Sequence, residues 1–395
     1  MKVLQIHNRY REGGGEDTVA AREADLLRLA GHSVVEYHVE NPAEPLEAAS
    51  TLLAAPWNQR AVGRLRDVIR EVRPEVAHVH NTWWVLSPSI VRELDRLDIP
   101  TVATLHNYRL MCVNAQLFRA GGPCEDCVGS HPWHGVRHRC YRGSVPASTI
   151  SAATIQLNRW LRTWRRVDRL LVLTEFARTR FIASGFPADR LHLKPNFVDD
   201  PGRRVESPSS SQTVLFVGRL SSEKGIAQLL DAWEAASPDD LSLTVVGDGS
   251  LRASLQSRNI PNVHFAGQLP GPEVNRLMLR SRALVFPSIW YEGQPMVLLE
   301  ALAAGLPLVV SDIGGLPETV AGTTAAILAR PGAAQSWVEA LGRLTDGEWI
   351  DRSGGSARGV FEERYSPETG LTGLMHEYGE AIAQRERRAR QRRGS

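Results

Sequence analysis

The sequence lacks any apolar run long enough to cross a bilayer: stretches such as Ala283–Phe286 and Ala301–Val310 fall well short of the ~20 residues a spanning helix needs. The N-terminal MKVLQIHNRYREGGG carries one Lys and a short alternating segment but no apolar signal-peptide core, so the expectation is a cytosolic chain. Charge of one sign is scarce too. The formal net charge is +2, and subtracting the +5 of Arg385, Glu386, Arg387, Arg388, Arg390, Arg392 and Arg393 leaves −3. The body therefore has no basic field of the kind nucleic-acid binders use. Also missing are a GxGxxG fingerprint with its ribose-binding acid, which disfavours a dinucleotide oxidoreductase, and an Asp-x-Asp at a strand end to hold a divalent ion. Cysteine is limited to four residues.

What is present is a globular composition: 395 residues, 43% hydrophobic, 23% charged. At ~150 residues per domain this is enough for two to three domains. Short apolar strands alternate with stretches of helical period. Val3–His7, Ser33–Tyr37, Val76–His80, Val102–His106 and Leu170–Leu173 read as strands, with helices at Thr18–Leu29, Arg60–Arg73, Ser89–Leu97 and Thr149–Arg166. The pattern restarts with strands Val214–Val217, Ser242–Val246, Val263–Phe265, Ala283–Phe286 and Pro307–Val310 and helices Ile226–Ala236, Glu273–Arg280 and Met296–Ala304. Such alternation predicts two α/β domains, each a doubly wound parallel sheet, facing a cleft. The polar stretch from Asp199 to Ser211, rich in Pro, Gly and Ser, reads as their linker. The predicted division is 1–200, with a Cys-rich insertion at 108–145, then 201–365. Ser366-Pro367 opens a terminal helix over 366–395 that returns toward the N-terminal domain and ends in the basic tail.

In open parallel sheets ligands bind beyond the carboxyl ends of the strands, so function is sought in the loops there. After the first strand, Gly13-Gly14-Gly15 leads into a helix, where backbone N–H groups can approach an anion. After Val217, Gly218-Arg219 and Lys224-Gly225 place two basic side chains five residues apart before a helix, a spacing able to clamp a diphosphate. After Phe286, the segment Pro287–Glu300 places Glu292 in a loop and Glu300 in the following helix. Gly293, Gln294 and Pro295 expose backbone before Met296 and Val297 begin that helix. Glu300, flanked by Leu298, Leu299 and Leu302, needs hydrogen-bond donors to offset burial, and a ribose diol supplies them.

These residues resemble the family-4 retaining glycosyltransferases of GT-B architecture, that is, two Rossmann-like domains facing an interdomain cleft. Glu292 and Glu300 match the family's E-x7-E motif, Gly218, Arg219, Lys224 and Gly225 its diphosphate loop, and Lys194–Asp199 its hinge strand. The resemblance implies a nucleotide-diphosphate sugar as donor, held through its ribose by Glu300 and through its sugar hydroxyls by Glu292. Arg219 and Lys224 would meet the departing diphosphate with help from the N–H groups of Gly14 and Gly15, so no catalytic metal is expected. His106, in Thr104-Leu105-His106-Asn107, matches the family's active-site histidine. The acceptor would be a glycan or polyprenyl-linked glycan of polysaccharide or cell-envelope synthesis, made in the cytoplasm or at the inner membrane face. A nucleotide-sugar epimerase or hydrolase would need an acid/base pair that is not evident beyond Glu292 and His106. An inactive nucleotide-sugar-binding scaffold would predict a damaged motif, and the motif is intact.

Cys112, Cys124, Cys127 and Cys140 include one C-x2-C pair. A structural zinc and four free thiols are both open, with His131, His134 and His138 as alternative ligands. Trp160 and Trp164 with Arg162, Arg165 and Arg166, and the Trp83-Trp84 pair, read either as core or as an amphipathic surface for anionic membrane. The Arg tail reads as a solvated, frayed end or as a contact with lipid headgroups. His78 and His80 read as packing or wall residues.

Overall fold

The computed structural model of the chain describes residues 1–9, 13–42, 44–238, 240–322 and 324–394. Tyr10, and the side chains of Arg392 and Arg393 in the basic tail, fall outside it. Two compact units form: Met1–Leu117, Glu125–Pro195 and Gly370–Ser395 make the first, Phe118–Cys124 and Asn196–Thr369 the second.

The first unit is built on strands β1 (Lys2–Arg9), β2 (Ser33–Glu40), β3 (Val76–Asn81) and β4 (Thr101–Leu105). A two-stranded ribbon, β5 (Phe118–Arg119) and β6 (Gly122–Pro123), precedes β7 (Arg169–Val172) and β8 (Leu191–Leu193). The six-stranded sheet runs β2-β1-β3-β4-β7-β8, all parallel. Every residue of β3 and β4 is buried, as expected where helices cover both faces. Strand order reverses between β1 and β3, so the crevice of this sheet opens at His7, Asn8, His80 and Asn81.

Helix α1 (Gly15–Leu29) starts three residues before the predicted Thr18 because Asp17 reaches back to accept from Gly14 N–H at 2.7 Å. The helix predicted over Thr149–Arg166 is instead Val145–Trp160, ended by Arg162 in the left-handed region (φ 51°) and followed by a separate turn, Thr163–Arg166. The two tryptophans are thereby divided: Trp164 is buried, Trp160 is 74% exposed. Trp83 and Trp84 are both core.

The terminal helix (Pro367–Gly394) opens at the predicted position, and from Gly370 onward it is part of the first unit. Leu374, Tyr378 and Ala381 join the core beside Val3, Val76 and Val102. Its basic end is not simply solvated or frayed. Arg385 is 4% exposed and bonds Asp168 at 2.7 Å and Asp95 at 2.8 Å, and Arg388 reaches Asp168 at 2.8 Å.

The second unit contains β9 (Thr213–Val217), β10 (Ser242–Val246), β11 (Val263–Gly267), β12 (Ala283–Phe286), β13 (Leu308–Ser311) and β14 (Ala326–Ala329). They form a parallel sheet in the order β11-β10-β9-β12-β13-β14. The alternation is explicit in its two cores. Leu215, Leu284, Phe286, Leu308 and Val310 pack on one face, and Val214, Phe216, Ala283, Val285 and Val309 on the other. Here the order reverses between β9 and β12, which puts the loops after Val217 and Phe286 at the crevice.

The Asp199–Ser211 stretch is not a free linker. Arg358 pairs with Asp200 at 2.6 Å, Arg204 donates to Ser281 O at 2.7 Å, and Ser209 Oγ donates to Asp351 at 2.8 Å, so the stretch is fastened along the second unit. The border between units falls before it, at Pro195/Asn196.

Candidate functional site

At the crevice of the second unit two glycine-dependent contacts draw the loops together. Gly225 sits at φ +69°, and a Cβ there would lie 1.9 Å from Pro287 O. At Gly247, φ +135°, a Cβ would lie 2.0 Å from Gly218 O. No other residue type allows such backbone approach. The loop after β9 is thus pressed onto the loop after β12, and Ile289 N–H donates to Glu223 O at 3.0 Å.

That contact assembles a charged group. Lys224 Nζ donates to Glu292 Oε1 at 2.7 Å, and Ser288 Oγ donates to the same oxygen at 2.9 Å. The Lys224 ammonium also lies 5.4 Å from the Trp290 ring and 5.7 Å from Phe286, which helps hold it in place. Arg219 is 58% exposed and donates to Glu223 at 3.0 Å. Burial pushes the Glu223 carboxyl up, but hydrogen bonds from Ser221 and backbone, with Arg219 beside it, bring it below its ordinary value.

The remaining predicted residues divide by what they already hold. Gly218 N–H is used by Val246 O at 3.0 Å, so its part is to join strands. Gln294 is buried and its side-chain oxygen accepts from Asn196 N–H at 2.7 Å, which makes it a brace. Pro295 caps the helix Met296–Ala303 without a side-chain bond, so the N–H groups of Met296 and Val297 are first-turn donors. Gly293 stands between them and Glu292, and Glu300 is half-buried on that helix.

The crevice of the first unit carries histidines above a buried ion pair. His106 lines a pocket with Asn81, Trp83, Asn107, Arg109 and Asn158. Its Nε2 lies 3.1 Å from His80 Nδ1, with the rings stacked. Desolvation of the His106 ring by the surrounding protein pushes its pKa down to about 3. Burial likewise holds His78 and His80 well below the ordinary value, so all three are neutral. Below them Glu23 and Lys194 form a buried ion pair. Burial alone would raise the Glu23 carboxyl, but the Lys194 charge and its hydrogen bond hold it low. His78 is fixed between Tyr378 OH and Thr104 Oγ1, each at 2.8 Å. Gly14 N–H is committed to Asp17, leaving Gly15 as that loop's donor.

Glu23, Gln5 and Ser288 were not singled out in the sequence, and Lys194 only as the start of the hinge strand. Glu23 leaves one signal, a carboxylate on the helical stripe of Val19, Ala20, Ala24 and Leu27.

The cysteines are not gathered as the zinc expectation requires. Among the described residues the one group of three metal-ligating side chains within reach of a common centre is Glu23, His78 and His80. There the Lys194 ammonium already supplies the positive charge. Among the described residues Cys112, Cys127 and Cys140 form no such group, and Cys112 and Cys140 sit in local turns. Cys112 Sγ–H donates to Asn114 at 2.9 Å, burial pushes its thiol up, and Cys140 N–H donates to Gly135 O. Cys124 closes the segment 118–124 that belongs with the second unit. His131 stacks on His134 and does not join a cluster of this kind either. Among the described residues no helix is long and apolar enough to cross a membrane.

Two family models match the sequence: Glycosyltransferase Family 4 over residues 13–200 and Glycosyl transferases group 1 over 211–346. A curated relative, the putative teichuronic acid biosynthesis glycosyltransferase TuaC of Bacillus subtilis, is 34% identical over 142 residues. That match covers 36% of this chain and 35% of TuaC, so the chain spans about a third of that relative's length. Among solved structures, sucrose-phosphate synthase from Thermosynechococcus elongatus superposes with a TM-score of 0.72 at 17% identity, covering 97% of this chain and 100% of that one. Anabaena HepE in complex with UDP-glucose gives 0.65 at 16% identity, covering 95% and 99%. At these identities the likeness is one of fold.

Proposed function

We propose, from the premise that this chain belongs to the group 1, family 4 glycosyltransferases of GT-B fold, that it transfers a sugar from a nucleotide-diphosphate sugar with retention of configuration. The observation that carries this reading is the Lys224–Glu292–Ser288 group at the crevice of the second unit. Glu292 accepts from hydroxyls of the transferred sugar, and Ser288 and Lys224 hold its carboxylate in place to do so. Glu300 takes the ribose diol. Lys224 and the exposed Arg219 meet negative charge as it develops on the departing diphosphate, together with the first-turn N–H groups of Met296 and Val297. The acceptor hydroxyl attacks from the face the diphosphate leaves, and its proton passes to a leaving phosphate oxygen. His106 orients a sugar hydroxyl at the pocket of the first unit.

A UDP-sugar is the first donor to try, since HepE is seen with UDP-glucose. For the acceptor we propose a glycan or polyprenyl-linked glycan of exopolysaccharide, lipopolysaccharide or related envelope synthesis, in keeping with TuaC. The site of action would be the cytoplasm or the inner face of the membrane.

The test is a thermal-shift and turnover screen of UDP-, GDP-, ADP- and dTDP-sugars. Stabilisation by one nucleotide class, weakened in Arg219→Ala, and turnover lost in Glu292→Ala is the expected result. Failure of all four classes to bind would overturn the reading.

A further inference from the structure

We infer that Gln5, acting through His80, fixes His106 as the tautomer that carries its proton on Nδ1. The reading that His106 orients a sugar hydroxyl supplies the use of that tautomer, not the grounds for it. Tautomers follow from the donors and acceptors around each ring, and here the chain of assignments begins at a backbone carbonyl.

Gln5, 1% exposed on β1, directs Nε2 at Ala20 O over 2.8 Å. A carbonyl can only accept, so the amide cannot turn over without setting oxygen against oxygen. The second proton of the same nitrogen points at His80 Nε2, 3.3 Å away. His80 Nε2 must then carry a lone pair, and because the ring is neutral its proton sits on Nδ1. His80 Nδ1–H donates to His106 Nε2 at 3.1 Å, which places the proton of the neutral His106 on Nδ1. None of the described hydrogen bonds engages His106 Nδ1, and the ring lines the pocket. The group offered to a ligand is therefore an N–H donor, suited to a hydroxyl or phosphate oxygen.

The arrangement is held against a competitor. Glu23 Oε2 lies 3.5 Å from His80 Nε2 and has no hydrogen-bond partner among the described residues, and Gln5 Oε1 is also left without one. Were the Gln5 donor removed, His80 would move its proton to Nε2, toward Glu23. Two lone pairs would then face each other between the imidazoles, and His106 would move its own proton to Nε2. The pair has two states, and Gln5 selects one.

Imidazole 15N NMR on the full chain reads this directly. In the unsubstituted protein His106 and His80 should each show a protonated, pyrrole-type Nδ1 and an unprotonated Nε2. Gln5→Met, close in volume and without a donor, should invert both rings and lower kcat about tenfold, with the donor KM nearly unchanged. A protonated Nε2 on His106 in the unsubstituted protein would overturn the inference without recourse to any variant, as would rings unchanged in Gln5→Met. Inversion with full turnover would uphold the tautomer assignment and remove His106 from the proposed mechanism instead. The ring spectra decide the inference even if no nucleotide sugar is turned over.

Discussion

Each unit places a lysine–glutamate pair below the carboxyl end of a parallel sheet, and solvent access separates the two pairs. Lys194 and Glu23 are 4% and 0% exposed and lie under three neutral histidines, whereas Lys224 is 17% exposed and belongs to a loop whose Arg219 is open to solvent. A pair sealed from water can hold a scaffold but cannot exchange partners for a ligand. A pair at the rim can do both, because water or substrate hydroxyls can replace one partner at modest cost. The same chemistry is therefore structural in the first unit and available to a ligand in the second.

Acid should break the comparison most strongly. His78 and His80 are held well below 6.5, and His106 is held at about 3, so the unfolded chain binds more protons than the folded one as pH falls from about 6.5. Stability should decline through that window, by about 2 kcal/mol at pH 5 for His106 and in the same direction for His78 and His80. Glu23 acts with the same sign: its contribution is present above 4.5 and is lost as pH falls through its lowered value. The second unit holds one histidine, His264, which is exposed. Hydrogen exchange at pH 7 and pH 5, corrected for intrinsic rate, should show protection lost first in peptides of the first unit. Equal loss in both units would remove the distinction.

Substitution sharpens it next. Glu23→Gln leaves the Lys194 ammonium buried and uncompensated, at a cost of about 3–5 kcal/mol by denaturant unfolding, and adding Lys194→Met should restore most of it. Lys224→Met should cost less stability yet lower turnover about 10²- to 10³-fold. If Glu23→Gln were as stable as the parent chain, the first pair would not be structural.

The two sites also differ in how far they can be read from sequence. Arg219, Lys224, Glu292 and Glu300 lie in two short segments after strands, where spacing decides little by itself and the resemblance to a family's motifs singles them out. The sheets were legible from pattern, since alternation and length suffice for Val214–Val217 or Ala283–Phe286. The network under His106 draws on Gln5, Glu23, His80, Lys194 and Tyr378 from five separate stretches of the chain, and their meeting depends on topology rather than on any local pattern. Helix ends misled where one residue enters the left-handed region, as Arg162 does in dividing Trp160 from Trp164. The cysteine spacing left zinc and free thiols both open because C-x2-C constrains one pair, whereas turns at Cys112 and Cys140 set the others. The linker misled because composition cannot show that Arg204 and Arg358 fasten it down.

The smallest expected effect is the most discriminating for the second unit. Arg219 pairs with Glu223 across solvent, an interaction of at most about 1 kcal/mol, so Arg219→Ala should leave unfolding within about 0.5 kcal/mol of the parent. If the side chain meets a departing diphosphate, kcat should still fall about tenfold, and the loss should shrink as salt is raised. Lys224, at 17% less exposed than Arg219 and paired with Glu292, should show weaker salt dependence. Equal salt dependence for the two substitutions would mean that burial does not set the order of these charges, and the contrast drawn between the two units would lose its physical cause.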